Sequence, residues 1–258
     1  MTGLPDPRAV AAAAHWFTAL GHRQEVVPGL ATFTIASGTP DYWDGNNASL
    51  VETGDFAALT AALDARMAHT EWRVVRTYAV EPPTIEAALV LAGFDLYGTV
   101  IQMVAAEAPA AARMVPSRPV DSDADWTTLA PLVRADAEEG GDNHETLPDS
   151  VIEAITANYR AKAPTVRFRL IEEAGEPIGY GSTAVAPNGI GIVEHLFVRP
   201  EWRSRGVMSA FLAEMMANLL TTCPAVMLGA RAGERPRLLY ERLGFQPVLL
   251  MRTWVLQT

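Results

Sequence analysis

The stretch from Ile190 to Leu220 constrains the fold more than any other. An apolar run, "IGIVEHLFV", passes through a turn carrying Arg199, Arg203, Arg205 and Gly206. It then enters a segment with Val207, Met208, Phe211, Leu212, Met215, Met216 and Leu219 at helical spacing. A strand that enters a helix through a basic, glycine-bearing turn outlines an anion site. The first N–H groups of such a helix have no partner within it, and its dipole favours negative charge there. Gly206 would let an anion approach the backbone, and Arg203 and Arg205 would add charge-assisted contacts. A solvated basic turn ahead of a surface helix has the same pattern, so the neighbouring elements have to decide.

Upstream, "SDADWTTLAPLVRADAEEGG" begins with capping residues and places Trp126, Leu129, Leu132 and Val133 on one helical face before Gly140-Gly141. "LPDSVIEAITANYRAK" repeats the logic with Val151, Ile152, Ile155 and Tyr159. Two strand-like runs, "TVRFRLIEE" and "PIGYGSTAVA", meet at Ala174-Gly175-Glu176 as a hairpin, and Pro187-Asn188-Gly189 turns into the strand of the opening stretch. Downstream, "AVMLGA" reads as a strand, "ERPRLLYERL" as a helix closed by Gly244, and "FQPVLLMRTWVLQT" as a final strand or pair of strands. The order ααβββαβαβ predicts an α/β or α+β layered domain around a central mixed sheet.

The N-terminal part alternates in the same way. Helices are expected over "DPRAVAAAAHWFTAL", "GDFAALTAALDARMAH" and "PPTIEAALVLAG", and strands over "GLATFTIAS", "ASLVET", "EWRVVRTYAV" and "FDLYGTVIQMVA". The Ala- and Pro-rich segment Ala105 to Trp126 reads as a linker, which places a boundary near residue 112 and gives domains 1–112 and 113–258. One echo joins the two parts. "ALVLAGFDLYGTVIQMVA" and "LYERLGFQPVLLMRTWVL" are both a helix ending in Gly-Phe, followed by a long apolar strand containing Met.

Together, "VRPEWRSRGVMSAFL" and "LYERLGF" resemble the GNAT superfamily of acyl-CoA-dependent N-acyltransferases. The superfamily's pyrophosphate loop is matched by Arg203-Ser204-Arg205-Gly206-Val207-Met208, with Met208 where Gly or Ala is usual. Its later helix is matched by Tyr240, Glu241, Gly244 and Phe245. The resemblance implies two GNAT-like domains, each with a mixed, mostly antiparallel sheet flanked by helices. It also implies acetyl-CoA as co-substrate, no metal, and an amine acceptor that is a small molecule or a peptide or protein N-terminus. The amides of Arg203 to Met208 would hold the CoA pyrophosphate, and Leu196, Phe197 and Val198 would pair with the pantetheine arm. Tyr240 would protonate the leaving thiolate. Glu194 would deprotonate the amine or bind it as a cation. Strict alternation along the strand would put Glu194 on the face of Leu196 and Val198 and turn His195 to the other. Asn143, in the acidic loop after the first helix of this part, and Trp43, in "TPDYWDGNN", would line the acceptor site. The N-terminal half has Leu89 where Tyr240 stands and no basic glycine loop, so it is expected to be a degenerate copy. A non-catalytic acyl-CoA-binding or scaffolding protein is the alternative.

Composition narrows the partners. The 258-residue chain, 49% apolar and 19% charged, can build a substantial core. Its net charge of −10 speaks against nucleic-acid or anionic-membrane binding and for a cationic acceptor. The lone Cys223 forms no internal disulfide. With no signal-like N-terminus and no long apolar run, a cytoplasmic monomer or homodimer is expected.

Overall fold

The computed structural model describes residues 3–40, 42–110, 113–140, 149–233 and 236–258. In chain order the first elements are α1 (Pro7–Ala19), β1 (Arg23–Val27), β2 (Ala31–Ile35), β3 (Asn47–Ser49), α2 (Phe56–Arg66), β4 (Trp72–Tyr78), α3 (Pro83–Leu91) and β5 (Asp95–Ala105). Then come β6 (Ser117–Pro119), α4 (Asp123–Gly140), α5 (Asp149–Lys162), β7 (Arg167–Glu173), β8 (Glu176–Val185), β9 (Gly191–Val198) and α6 (Val207–Leu219). The chain closes with β10 (Val226–Arg231), α7 (Pro236–Arg242) and β11 (Gln246–Gln257). Among the described residues no helix is long and apolar enough to cross a membrane.

Contacts divide the chain into two compact units. The first takes the N-terminal residues through Val104 together with Gly229–Glu241 and Phe245–Thr258; the second takes Ala105–Leu228 and Arg242–Gly244. Where the sequence pattern suggests one cut near residue 112, the contacts assign the last strand to the N-terminal unit. β11 lies between β4 and β5 and pairs antiparallel with both. The order in this unit is β1-β2-β3-β4-β11-β5, antiparallel apart from the parallel β3–β4 pair. Phe33, Leu59, Leu63, Val75, Ile85, Leu89 and Trp254 form a buried core on one side of this sheet.

The sequence echo is a structural one. α3 and α7 both run into a glycine in the left-handed region, Gly93 at φ 86° and Gly244 at φ 91°. In each case the next residue, a Phe, bonds back to the equivalent helix carbonyl. Phe94 N donates to Leu89 O at 3.0 Å, and Phe245 N donates to Tyr240 O at 3.0 Å. Only glycine adopts this conformation without strain, and the cap it builds satisfies carbonyls that the helix leaves open.

In the second unit the first residues of β10, then β9, β8, β7 and β6 lie in that order, antiparallel except for a short parallel β9–β10 pair. The hairpin expected at Ala174-Gly175 is present, with both residues at positive φ (50° and 84°), the geometry whose twist matches its strands. α6 packs on one face through Phe211 and Met215. On the other face, Trp126 of α4 and Tyr159 of α5 lie 5.5 and 5.1 Å from the Phe168 ring. The segment read as a linker is partly structured. β6 pairs with β7, and Val115 and Val120 are buried. A three-residue edge strand ending in proline leaves almost no periodic signal.

Candidate functional site

The turn between β9 and α6 combines left-handed backbone with the start of a helix. A single 3-10 turn, Pro200–Trp202, is followed by Ser204 at φ 60° and Gly206 at φ 73°, and Gly206 caps the helix. A Cβ on Gly206 would meet nothing within 4 Å, so the space above the cap is open. The first helical amide to bond back is that of Ala210, to Gly206 O at 3.1 Å. The earlier amides have no partner within the helix and sit at its positive end. Successive amides through left-handed residues form an anion-binding concavity.

The arginines play unequal parts. Arg203 braces the loop. Its amide donates to Pro200 O at 3.1 Å, its Nε donates to Val198 O at 2.8 Å, and its Nη2 donates to Glu139 Oε2 at 2.5 Å. The Glu139 carboxylate at the end of α4 raises the Arg203 pKa above its ordinary value. Arg205 lies over the Trp202 ring at 4.7 Å and is exposed to solvent. Met208 is half-buried, while Val207, Phe211 and Leu212 of the same helix are fully buried.

β9 departs from simple alternation. Between the pairs Tyr180↔Phe197 and Ser182↔Glu194, two residues of β9, His195 and Leu196, oppose the single Gly181 of β8. This β-bulge holds His195 at φ 55° and overturns the face assignment made by strict alternation. Phe168, Ser182 and Glu194 are cross-strand neighbours and therefore share the α4/α5 face. His195 joins them. Its Nδ1 lies 2.8 Å from Ser182 Oγ, and its ring packs at 4.2 Å against Tyr159 and 5.4 Å against Phe168. Leu196 turns to α6, its Cδ2 lying 3.1 Å from where a Gly181 Cβ would stand. Glu194 and His195 thus share one face, and Leu196 takes the other.

Two glycines of β8 make room for this shape. A Cβ on Gly179 would stand 2.3 Å from Phe197 O, and one on Gly181 would stand 2.8 Å from Phe211 Cε1. On its other edge β9 pairs with β10 only at Gly191 and Ile192. Among the described residues, the stretch from Val193 to Val198 carries no ladder on that side, and Leu196, Phe197 and Val198 lie within it.

A buried polar line links this strand to the loop. Tyr180, fully buried on β8, donates to Asp136 Oδ2 at 2.6 Å. Burial raises its pKa well above the ordinary phenol value, helped by the neighbouring Tyr159 and Asp136. Asp136 in turn adds to the field on Arg203. Sequence reading overlooked Tyr180, Ser182, Asp136 and Glu139. The available signal was "GYGS", where glycines interrupt an otherwise regular strand.

Two further candidates belong to the first unit. Tyr240, on α7 in the first unit, is buried, with its ring 6.2 Å from Phe245. Trp43, also in the first unit, is half-buried, and its ring meets Trp72 at 5.1 Å and Tyr97 at 4.7 Å. Its neighbour Asn46 does not line a cleft. It is 1% exposed, and its amide pins the loop, accepting from Ala36 N at 3.0 Å and donating to Thr39 O at 2.8 Å and Tyr42 O at 3.1 Å. Asn143 lies outside the described residues. A cleft of about 1250 Å³, lined by Trp126, Phe168, Met215 and Leu219 among others, includes none of the candidate residues.

Comparison with known proteins bears on the fold. Residues 164–247 match the family model described as an acetyltransferase (GNAT) domain. No curated protein matches the chain. Among solved structures, a conserved protein of unknown function from Staphylococcus epidermidis superposes with a TM-score of 0.70 at 10% identity, over 92% of this chain and 94% of that one. A GCN5-related N-acetyltransferase from Kribbella flavida gives a TM-score of 0.66 at 16% identity, over 99% and 96%. A tandem GNAT protein from the clavulanic acid biosynthesis pathway gives 0.56 at 14% identity, over 82% and 75%. These likenesses establish the fold.

Proposed function

We propose, from the match of residues 164–247 to the acetyltransferase (GNAT) domain, that the chain transfers an acetyl group from acetyl-CoA directly to an amine. The observation that carries this reading is the turn at Ser204–Gly206, where left-handed backbone, open space and the start of α6 combine at the position of the motif. The amides from Ser204 to Met208 would hold the pyrophosphate, with Arg203 bracing the loop through Glu139 and Val198. Leu196, Phe197 and Val198, whose strand carries no ladder on one side, would take the pantetheine arm as an added strand does.

The chemistry requires a neutral amine, an electrophilic thioester carbonyl and a proton for the departing sulfur. Tyr240 is assigned the last role by its motif. A phenol, with a pKa near ~10, is protonated at neutral pH and can still give its proton to a thiolate. Glu194, half-buried beside His195, would meet the amine as a cation. The N-terminal half would shape the acceptor site rather than bind a second CoA. Leu89 occupies the position of Tyr240 under the same helix cap, and its hydroxyl-free side chain is sealed in the core. Trp43 and Asn143 are the acceptor-side residues of this reading. A thiol-release assay with acetyl-CoA over a panel of small amines and peptide N-termini tests it. Turnover with at least one amine is expected. Acetyl-CoA binding without turnover on any member would favour the scaffolding alternative.

A further inference from the structure

We propose that the first unit carries a binding site for a quaternary ammonium group, walled by the rings of Trp43, Trp72 and Tyr97. This site goes beyond the acetyl-transfer reading and does not depend on it.

The three rings form one cluster at the surface. Trp43 sits in the middle, its ring 5.1 Å from Trp72 at 60° and 4.7 Å from Tyr97 at 83°. Rings that meet edge to face at nearly a right angle leave a corner bounded by two π faces, and each face attracts a cation within about 6 Å of its centre. Solvent reaches the cluster, since Tyr97 is 57% exposed and both tryptophans are half-buried. By contrast, the rings around Phe168 are sealed, with Phe168 3% and Trp126 7% exposed.

Buried polar groups hold Trp43 in place. Asn47 Nδ2, on a residue 2% exposed, donates to the carbonyls of Trp43 and Asp44 at 3.0 Å each. The Asp44 carboxylate accepts from Nη2 of Arg76, a buried guanidinium on β4. Gly45 keeps the turn tight, because a Cβ there would stand 2.6 Å from the Ala36 Cβ. Tyr97 is set by a different device. Thr253 and Trp254 of β11 pair with Gly98 and Leu96, so Tyr97 is the extra residue of a β-bulge, which re-aims a side chain. Packing alone does not ask for a half-exposed tryptophan to be pinned by buried polar groups. A binding site does, because rings already in place lose little freedom when a ligand arrives.

Charge selects the occupant. Glu71 immediately precedes Trp72, and Asp95 stands two residues before Tyr97. Both are exposed, and among the described residues neither is in an ion pair. The nearby arginines are already matched, Arg76 by Asp44 and Arg73 by Asp64, so the two free carboxylates leave this end of the unit negative. A primary ammonium is a compact, strongly hydrated charge that keeps its water at an exposed site. A trimethylammonium group holds water weakly, and its methyl groups also cover apolar ring surface.

Choline and its neutral isostere, in which carbon replaces the nitrogen, are titrated with the full chain and followed by the proton resonance of their methyl groups. Ring currents move a methyl group bound over a π face upfield. Choline is expected to bind in the millimolar range with a saturable upfield shift, and the neutral isostere about tenfold more weakly. Trp43→Leu and Tyr97→Leu are each expected to weaken choline about tenfold, while Tyr97→Phe, which keeps the π face, binds as the parent does. Should Trp43→Leu fail to fold, the exposed Tyr97 still decides. Equal binding of the two isosteres, absence of the upfield shift, or unchanged binding in Tyr97→Leu overturns the proposal. A trimethyllysine side chain offers the same chemistry, and tighter binding of N-acetyl-trimethyllysine amide than of choline would assign the site to a modified peptide rather than a small molecule. These titrations contain no acetyl-CoA, so failure of the acetyl-transfer reading leaves their outcome untouched.

Discussion

Replacing Gly179 with alanine asks why β9 has its shape. The new Cβ would stand 2.3 Å from the Phe197 carbonyl oxygen and 3.1 Å from the Val198 Cα. Neither atom belongs to a side chain that can rotate away. The two strands would have to separate by about 1 Å in an interior packed at crystal density. Overpacking of this kind costs ~1–3 kcal/mol. A chain of this size loses ~2–4 °C of Tm per kcal/mol, so a fall of about 5 °C is expected. The displaced carbonyls belong to the strand end proposed for pantetheine. If half of that penalty falls on the bound state, acetyl-CoA affinity drops by about fivefold, the equivalent of ~1 kcal/mol. Thermal melts and calorimetric titration of the two proteins give both numbers. An alanine variant that melts with the parent and binds acetyl-CoA equally well would refute the claim that Gly179 is required by the close approach of β9.

Three further outcomes follow from individual residues. Tyr240→Phe is expected to lower kcat by ~100-fold or more while leaving acetyl-CoA affinity unchanged, as read by steady-state thiol release and calorimetry. Burial raises the Glu81 carboxyl to about 8; one oxygen accepts from Val51 N at 3.0 Å and the other is buried without a partner. The folded chain therefore keeps a proton that the unfolded chain releases, so stability falls as pH rises from about 4.5 to about 8. Glu81→Gln should flatten that fall in urea titrations across the window. Asn46→Ala removes the amide that pins the Thr39–Asn47 loop and should cost ~2–4 kcal/mol by urea unfolding without changing kcat, because the residue is structural.

Much of this fold was legible because its signals are local. The hairpin at Ala174-Gly175, the caps at Gly93 and Gly244, and the strand–turn–helix at Gly206 each follow from residues a few positions apart. The face assignment on β9 was not legible. Alternation presumes one residue against one, and the bulge at His195-Leu196 is decided by the partner strand, where Gly179 and Gly181 allow β9 to close in. For the same reason alternation turned His195 to the wrong face, away from Ser182 thirteen residues earlier. The place of β11 between β4 and β5 was equally hidden, since strand pairing over such a separation leaves no mark on local periodicity. The arginines illustrate a third limit. Composition credits Arg203 and Arg205 with the same charge, yet one braces the loop through Glu139 and the other faces solvent over Trp202.

Calorimetric titration with acetyl-CoA tests the central claim most directly. The account predicts one site per chain, at the turn before α6 that it assigns to the pyrophosphate. It also predicts that Gly206→Asp abolishes binding while the protein still folds. Aspartate tolerates the left-handed backbone at φ 73° and suits a helix N-terminus, but it places a carboxylate in the open space where the phosphates would lie. Two sites per chain, or unchanged affinity in the folded Gly206→Asp protein, would contradict it.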